Sequence, residues 1–304
     1  MFEKIIYMFN NQTIKSEYYE KNKWPYYLSL PLMWFLTIYV MLKKQIYKLL
    51  GLPKPKINTF FFDGIGLACR KVKEYATTWR AMEIIYNHIF PKKLILWGIL
   101  DEFYWRGMNC QALRNRYKLV KKEIYKAISE FPNEKEIKII SLASGAGQAL
   151  IEVVAEFKKK GIFIRSKLVD FDANALEHAK EIARQYDVED RIEYSQKDID
   201  GNEDYFKNFN PNIVEMLGFL DYADQEKAIN FVKKIYNILP NNGILITCNI
   251  APNIEQYFLK WVIDWPMVYR KEKDLSEIAK KSGFNNYRVI YEPMKIHGLL
   301  IAKK

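Results

Sequence analysis

Ile137-Lys138-Ile139-Ile140-Ser141-Leu142-Ala143-Ser144-Gly145-Ala146-Gly147-Gln148 reads as a β-strand that runs into a small-residue turn and a helix start. Small residues let a backbone come close to a ligand, and the first N–H groups of a helix lack intrahelical acceptors. Alone this is a weak signal, because glycine-rich turns after strands are common. Its weight comes from the pattern of the residues downstream.

There, short β-rich runs alternate with amphipathic helices. Gln148 to Lys160 reads as a helix and IRSKLVDFD as a strand; Asn174 to Tyr186 as a helix, then RIEYSQKD and NIVEMLGFLD as strands. Gln225 to Ile238, the strand GILITCNI and the helix Asp274 to Ser282 continue the pattern, and YRVIYEP and HGLLIAKK close the chain. Such alternation predicts a mainly parallel, doubly wound sheet, and two final strands with no helix between them predict an antiparallel hairpin. In these sheets, ligands sit at the carboxyl ends of strands near the switch in strand order. Strand 2 ends at Asp170, 23 residues after Gly147, where a carboxylate can accept from both ribose hydroxyls. Strand 3 ends in Asp198-Ile199, an acid and an apolar residue placed to flank a purine.

These strand ends resemble the class I S-adenosylmethionine-dependent methyltransferases. ISLASGAG matches the family's first motif, Asp170 its ribose acid, Asp198 and Ile199 its adenine-flanking pair, and HGLLIAKK its reversed last strand. The resemblance implies a Rossmann-like α/β fold with seven strands ordered 3-2-1-4-5-7-6 and strand 7 antiparallel. It also implies S-adenosyl-L-methionine as co-substrate, held by Ser144, Gly145, Ala146, Gly147, Asp170, Phe171, Asp198 and Ile199, with Leu217 and Gly218 beside the methionine moiety. The runs ALRNR, SLASGAGQALIEV and WPMVYR are similar to a little-described group of bacterial methyltransferases with a helical N-terminal extension.

Two positions depart from the family. Ser141 stands where an acid usually helps hold the methionine amino group, and Ala143 where the first glycine usually lies. Asn109, Arg114 and Arg116, upstream on a helical stretch, are candidates to compensate, an arginine pairing with the methionine carboxylate. The alternative is an ordinary solvated basic face. For the acceptor, Asp221 and Tyr222 follow strand 4, and His297 opens the reversed strand 7, which returns it to the ligand edge as a general base or acceptor contact. Tyr222 and His297 are thus the catalytic candidates. A lone histidine is more often structural. The run QYFLKWVIDWPMVYRK after strand 5 reads either as core packing or as an aromatic wall for an apolar or cationic acceptor.

The chain of 304 residues has 49% hydrophobic and 27% charged residues, which excludes a disordered or collagen-like polymer. Three widely spaced cysteines form neither a disulfide framework nor a metal cage, so no metal is expected and a cytoplasmic, reducing setting is. The net charge of +11 is uneven: residues 1–135 carry 23 Lys and Arg against 11 Asp and Glu, and residues 136–304 carry 24 against 25. We therefore expect a basic helical cap over 1–135 and a methyltransferase domain over 136–304. Within the cap, Tyr26 to Leu42 is apolar for about a dozen residues before Lys43 and Lys44, against roughly 20 for a membrane span. It reads as a buried cap helix or as an interfacial segment that would make the protein peripheral to a membrane surface. Leu52-Pro53-Lys54-Pro55 ends it, and helical segments over Ile65 to Phe90 and Leu94 to Phe131 come next.

The expected activity is methyl transfer to a small-molecule or lipid-like acceptor. An RNA or protein methyltransferase using the basic half ranks lower, since no clustered Lys/Arg run or separable RNA-binding module is seen and strand 4 lacks the (D/N)PP(Y/F) motif of base N-methyltransferases. Nucleic acid is therefore disfavoured as a partner. Aminocarboxypropyl transfer and a non-catalytic S-adenosylmethionine-binding module remain as alternatives. A nicotinamide reading is disfavoured by the missing full GxGxxG.

Overall fold

A computed structural model describes residues 19–21, 24–88 and 104–304. They fall into two compact units. Arg116–Ala251 and Val268–Lys304 form an α/β unit, and the described part of Glu20–Asn115 forms a helical unit with Pro252–Met267. The division differs from a boundary after residue 135. It falls inside a long helix, and the aromatic stretch after strand 5 groups with the N-terminal helices.

The helices are α1 (Trp24–Leu49), α2 (Leu67–Glu74), α3 (Trp79–Tyr86), α4 (Met108–Ser129), α5 (Gln148–Lys159), α6 (Ala173–Gln185), α7 (Glu203–Phe209), α8 (Gln225–Ile238), α9 (Gln256–Trp261) and α10 (Glu272–Lys281). The strands are β1 (Ile137–Leu142), β2 (Ile164–Val169), β3 (Ile192–Ser195), β4 (Ile213–Met216), β5 (Ile244–Ile250), β6 (Asn286–Tyr291) and β7 (His297–Lys303), in the order 3-2-1-4-5-7-6. β1 to β5 pair parallel, and β7 runs antiparallel to β5 and β6. The chain winds outward from β1 on one side and from β4 on the other, so the switch lies between these two strands.

Side chains alternate across a strand. Ile140, Leu142, Val214, Met216, Leu245 and Leu300 face one way, into a core shared with α8 and α10. Ser141 pairs with Glu215, Glu215 with Ile246, and Ile250 with His297, so Ser141, Glu215, Cys248 and His297 share the opposite face. Strand 4 is shorter than expected: it stops at Met216, and a 3-10 turn covers Leu220–Tyr222. α7 is an addition to the expected elements, because seven residues carry little periodicity.

The helical unit buries Val40, Phe62, Val72, Ile85, Trp105, Val262 and Trp265 together. α1 is continuous through Pro31. The helix expected over Ile65 to Phe90 is broken instead: a π-helical turn covers Phe60–Ile65, and α2 and α3 are separated at Thr77, which adopts φ 69°. Residues 89–103, which hold the end of that expected helix and the start of the next, lie outside the described residues. Of the QYFLKWVIDWPMVYRK run, Phe258, Leu259, Val262, Ile263 and Trp265 are core, as the packing reading expects, while Tyr257 stays exposed.

Candidate active site

The turn after β1 carries three residues in the left-handed region: Ala143 (φ 48°), Gly145 (φ 53°) and Gly147 (φ 61°). Ala143 keeps the conformation that a glycine would adopt freely, at a cost of about 1 kcal/mol. Gly147 is required for a second reason. A Cβ there would lie 2.7 Å from Leu168 Cδ1 on β2, so only glycine lets the turn seat against the neighbouring strand and start α5.

Asp170, buried just past β2, ties the turn to the next one. Its Oδ2 accepts from the Gly145 N–H (2.8 Å) and its Oδ1 from the Asp172 N–H (2.9 Å). Each carboxylate oxygen has two lone pairs, so this arrangement fixes the group and leaves each oxygen capacity for a ligand hydroxyl. Phe171 beside it is 83% exposed. β3 stops at Ser195, earlier than expected, and on the segment that follows Ile199 is buried while Asp198 is exposed and accepts from the Asp200 N–H at 3.3 Å. Leu217 and Gly218 (φ 79°) come after β4, both half-buried. Ser144, Gly145, Ala146, Gly147, Asp170, Phe171, Asp198, Ile199, Leu217 and Gly218 therefore all lie on the segments that leave the carboxyl ends of β1 to β4.

Asn109 and Arg114 are engaged inside the helical unit. The Asn109 amide donates to Asn253 Oδ1 and Glu255 Oε2, and Glu255 also accepts the Met108 and Asn109 backbone N–H groups at 2.9 Å each. That carboxylate caps the start of α4, where N–H groups need acceptors and the helix dipole favours an anion. Arg114 makes a two-pronged pair with Glu20 (2.6 and 2.7 Å) and donates to the Trp105 carbonyl.

Arg116 is different. It belongs to the α/β unit, is fully buried, and lies 3.7 Å from Cys248 Sγ. Around its charge stand Glu215, Asp221 and His297, three ionisable groups removed from water. Burial raises Glu215 to about 7 and Asp221 to about 6, and in both the Arg116 charge pulls the other way. Ser141 donates its hydroxyl to Glu215. A carboxylate is thus present at the β1–β4 switch, one strand over from where the family resemblance expects it. His297 is buried, and neither ring nitrogen has a hydrogen-bond partner among the described residues. Burial, then the Arg116 charge, holds its pKa well below the ordinary histidine value, so the ring is neutral at pH 7.

Asp221, expected to face an acceptor, is buried and accepts the Ile250 N–H at 2.7 Å. Tyr222 beside it is exposed. Arg270 holds the same region, donating to the Leu220 and Ala223 carbonyls and to Asn249 Oδ1 at 2.6 Å each. The sequence reading missed the roles of Arg270 and Glu215. Glu215 emerges only from the register of β1 on β4, and Arg270 only from the packing of the segment before α10 on the turn after β4.

Sheet order, reversed last strand and a glycine-rich turn at the switch are those of the class I S-adenosylmethionine-dependent methyltransferase fold. Residues 80–304 match the family model described as "Putative methyltransferase", and the chain belongs to that family. No curated protein matches the sequence. Among solved structures, a "possible exported protein" from Bordetella parapertussis is similar over 91% of this chain and 96% of its own, with a TM-score of 0.61 and 14% identity. Magnesium protoporphyrin IX methyltransferase from Synechocystis PCC 6803, solved with bound SAH, has a TM-score of 0.53 at 13% identity, covering 78% of this chain and 99% of its own. The S-adenosylmethionine-dependent methyltransferase SibL has a TM-score of 0.51 at 13% identity, covering 80% and 70%. At such identities these likenesses establish the fold.

Proposed function

We propose that the protein transfers the methyl group of S-adenosylmethionine to a small-molecule or lipid-like acceptor. The observation that carries this reading is the fixed carboxylate of Asp170 beside the Gly145–Gly147 turn. In this reading Asp170 accepts the ribose hydroxyls, Phe171 and Ile199 flank the adenine, and Asp198 meets its polar edge. Gly145, Gly147 and Gly218 let backbone pass close to the ligand, with Ser144, Ala146 and Leu217 completing the wall. Glu215, oriented by Ser141, supplies the carboxylate for the methionine ammonium, whose charge would hold it ionised. The sulfonium supplies an activated methyl group, and the protein aligns the acceptor and keeps water out.

His297 serves as the proton acceptor or acceptor contact, and the exposed Tyr222 as a contact at the rim. An apolar acceptor is the reading we favour, in keeping with the aromatic character of the helical unit, where Met33, Trp34, Tyr257 and Phe258 line a shallow surface cleft. The test is incubation with methyl-tritiated S-adenosylmethionine and either a total lipid extract, a small-molecule extract or RNA. Label is expected in one of the first two. The variant His297→Gln should keep its S-adenosylmethionine affinity and lose turnover by about 100-fold or more. Label in RNA alone, or full activity without His297, would contradict the reading.

A further inference from the structure

Helix α1 has two apolar faces. One carries Met33, Thr37 and Val40, all buried in the helical unit. The other, Leu32, Phe35, Tyr39, Leu42, Ile46 and Leu49, recurs at three- and four-residue spacing and is exposed along its whole length, with Phe35 at 65% and Leu49 at 86%. A soluble helix normally shows a polar face there. The exposed apolar surface continues beyond α1. Lys43 donates to the Ile57 carbonyl at 3.0 Å, which brings Ile57 alongside the helix, and Phe60 adds to it at 65% exposure. Contiguous exposed apolar surface of this kind marks an interaction site.

The charges around it identify the partner. Residues 43–73 contain eight Lys and Arg and one acid, Asp63. Asp63 is taken by Lys73, and Asp264 of the same unit by Lys44 and Lys54, while Lys48, Lys56, Arg70 and Lys71 are exposed. A second copy of the chain meeting this face in a two-fold dimer would set like charges against each other. An anionic lipid surface complements them and accepts the aromatic and aliphatic side chains between its headgroups. No described helix is long and apolar enough to cross a membrane, so α1 would lie in the interface plane.

We propose that the exposed face of α1, continued by Ile57 and Phe60, docks on an anionic lipid bilayer. This surface includes the interfacial segment anticipated from residues 26–44 and extends it to Phe60. The proposal goes beyond methyl transfer and does not depend on it.

Co-sedimentation with vesicles of phosphatidylcholine, alone or mixed with phosphatidylglycerol, tests it. Affinity is expected to be at least about tenfold higher for the anionic vesicles and to fall at about 0.5 M salt. The variant Phe35→Ser/Leu49→Ser/Phe60→Ser should lose that binding while keeping its circular dichroism and its S-adenosylmethionine affinity, since all three side chains are exposed. Equal binding to both vesicle types, or undiminished binding by the variant, would overturn the proposal. So would a wild-type dimer in analytical ultracentrifugation that the variant abolishes, with no vesicle binding. Failure of methyl transfer with intact vesicle binding would count against the enzymatic reading alone.

Discussion

Asp170→Ala is expected to raise the dissociation constant for S-adenosylmethionine at least about 100-fold. Two hydrogen bonds from ribose to an ionised carboxylate are worth about 1.5–3 kcal/mol each, and 1.4 kcal/mol is tenfold in affinity. The substitution also releases the Gly145 and Asp172 N–H groups that Asp170 now holds, loosening the turn that meets the ligand. Both effects act in the same direction. Titration calorimetry of the variant measures it, with circular dichroism to show that the fold is kept. An affinity within threefold (about 0.7 kcal/mol) of the parent would remove Asp170 from the site.

The second large effect is on stability. Arg116→Met removes the buried cation that faces Glu215 and Asp221, and breaking such a cluster costs about 3–5 kcal/mol. The cost should depend on pH. Both carboxyls have folded values above their ordinary ones, Glu215 about 7 and Asp221 about 6. Raised carboxyl values contribute stability that is full at low pH and is lost as pH rises through the folded value. In the parent, Arg116 limits that loss by favouring the ionised forms. At pH 8 the variant must ionise Glu215 with no cation beside it and Asp221 with only Arg270, or keep them protonated at a cost. Near pH 4.5 both are protonated in either protein, and the buried arginine then has little opposite charge to meet. Urea unfolding at the two pH values should therefore show the full cost at pH 8 and a much smaller one at pH 4.5. An equal cost at both would mean that Arg116 acts through packing alone.

The parts legible in the sequence were those carried by local signals. The strand ends just before Ala143 and Asp170 announce themselves through a change of hydrophobic period, and the final hairpin through the absence of an intervening helix, whereas β3 stops at Ser195, short of Asp198. α7 is too short for a period, and the break at Thr77 depends on a left-handed backbone that threonine seldom adopts. The Ser141–Glu215 pair arises only when β1 and β4 align, 74 residues apart in sequence. Arg116 and Arg114 sit two positions apart on one helix, yet one is fully buried in the α/β unit and the other pairs with Glu20 in the helical unit. Composition could not separate them. Nor could it show that α1 presents a second apolar face, because the spacing of Phe35, Tyr39, Leu42 and Ile46 is what a buried stripe would have.

The measurement that bears most directly on the methyltransferase assignment is calorimetric titration of S-adenosylmethionine and S-adenosylhomocysteine into the wild-type protein. One site per chain with micromolar or tighter affinity for both is predicted. No heat of binding for either, with the fold intact, would contradict the assignment of the β1–β4 edge as a methyl-donor site.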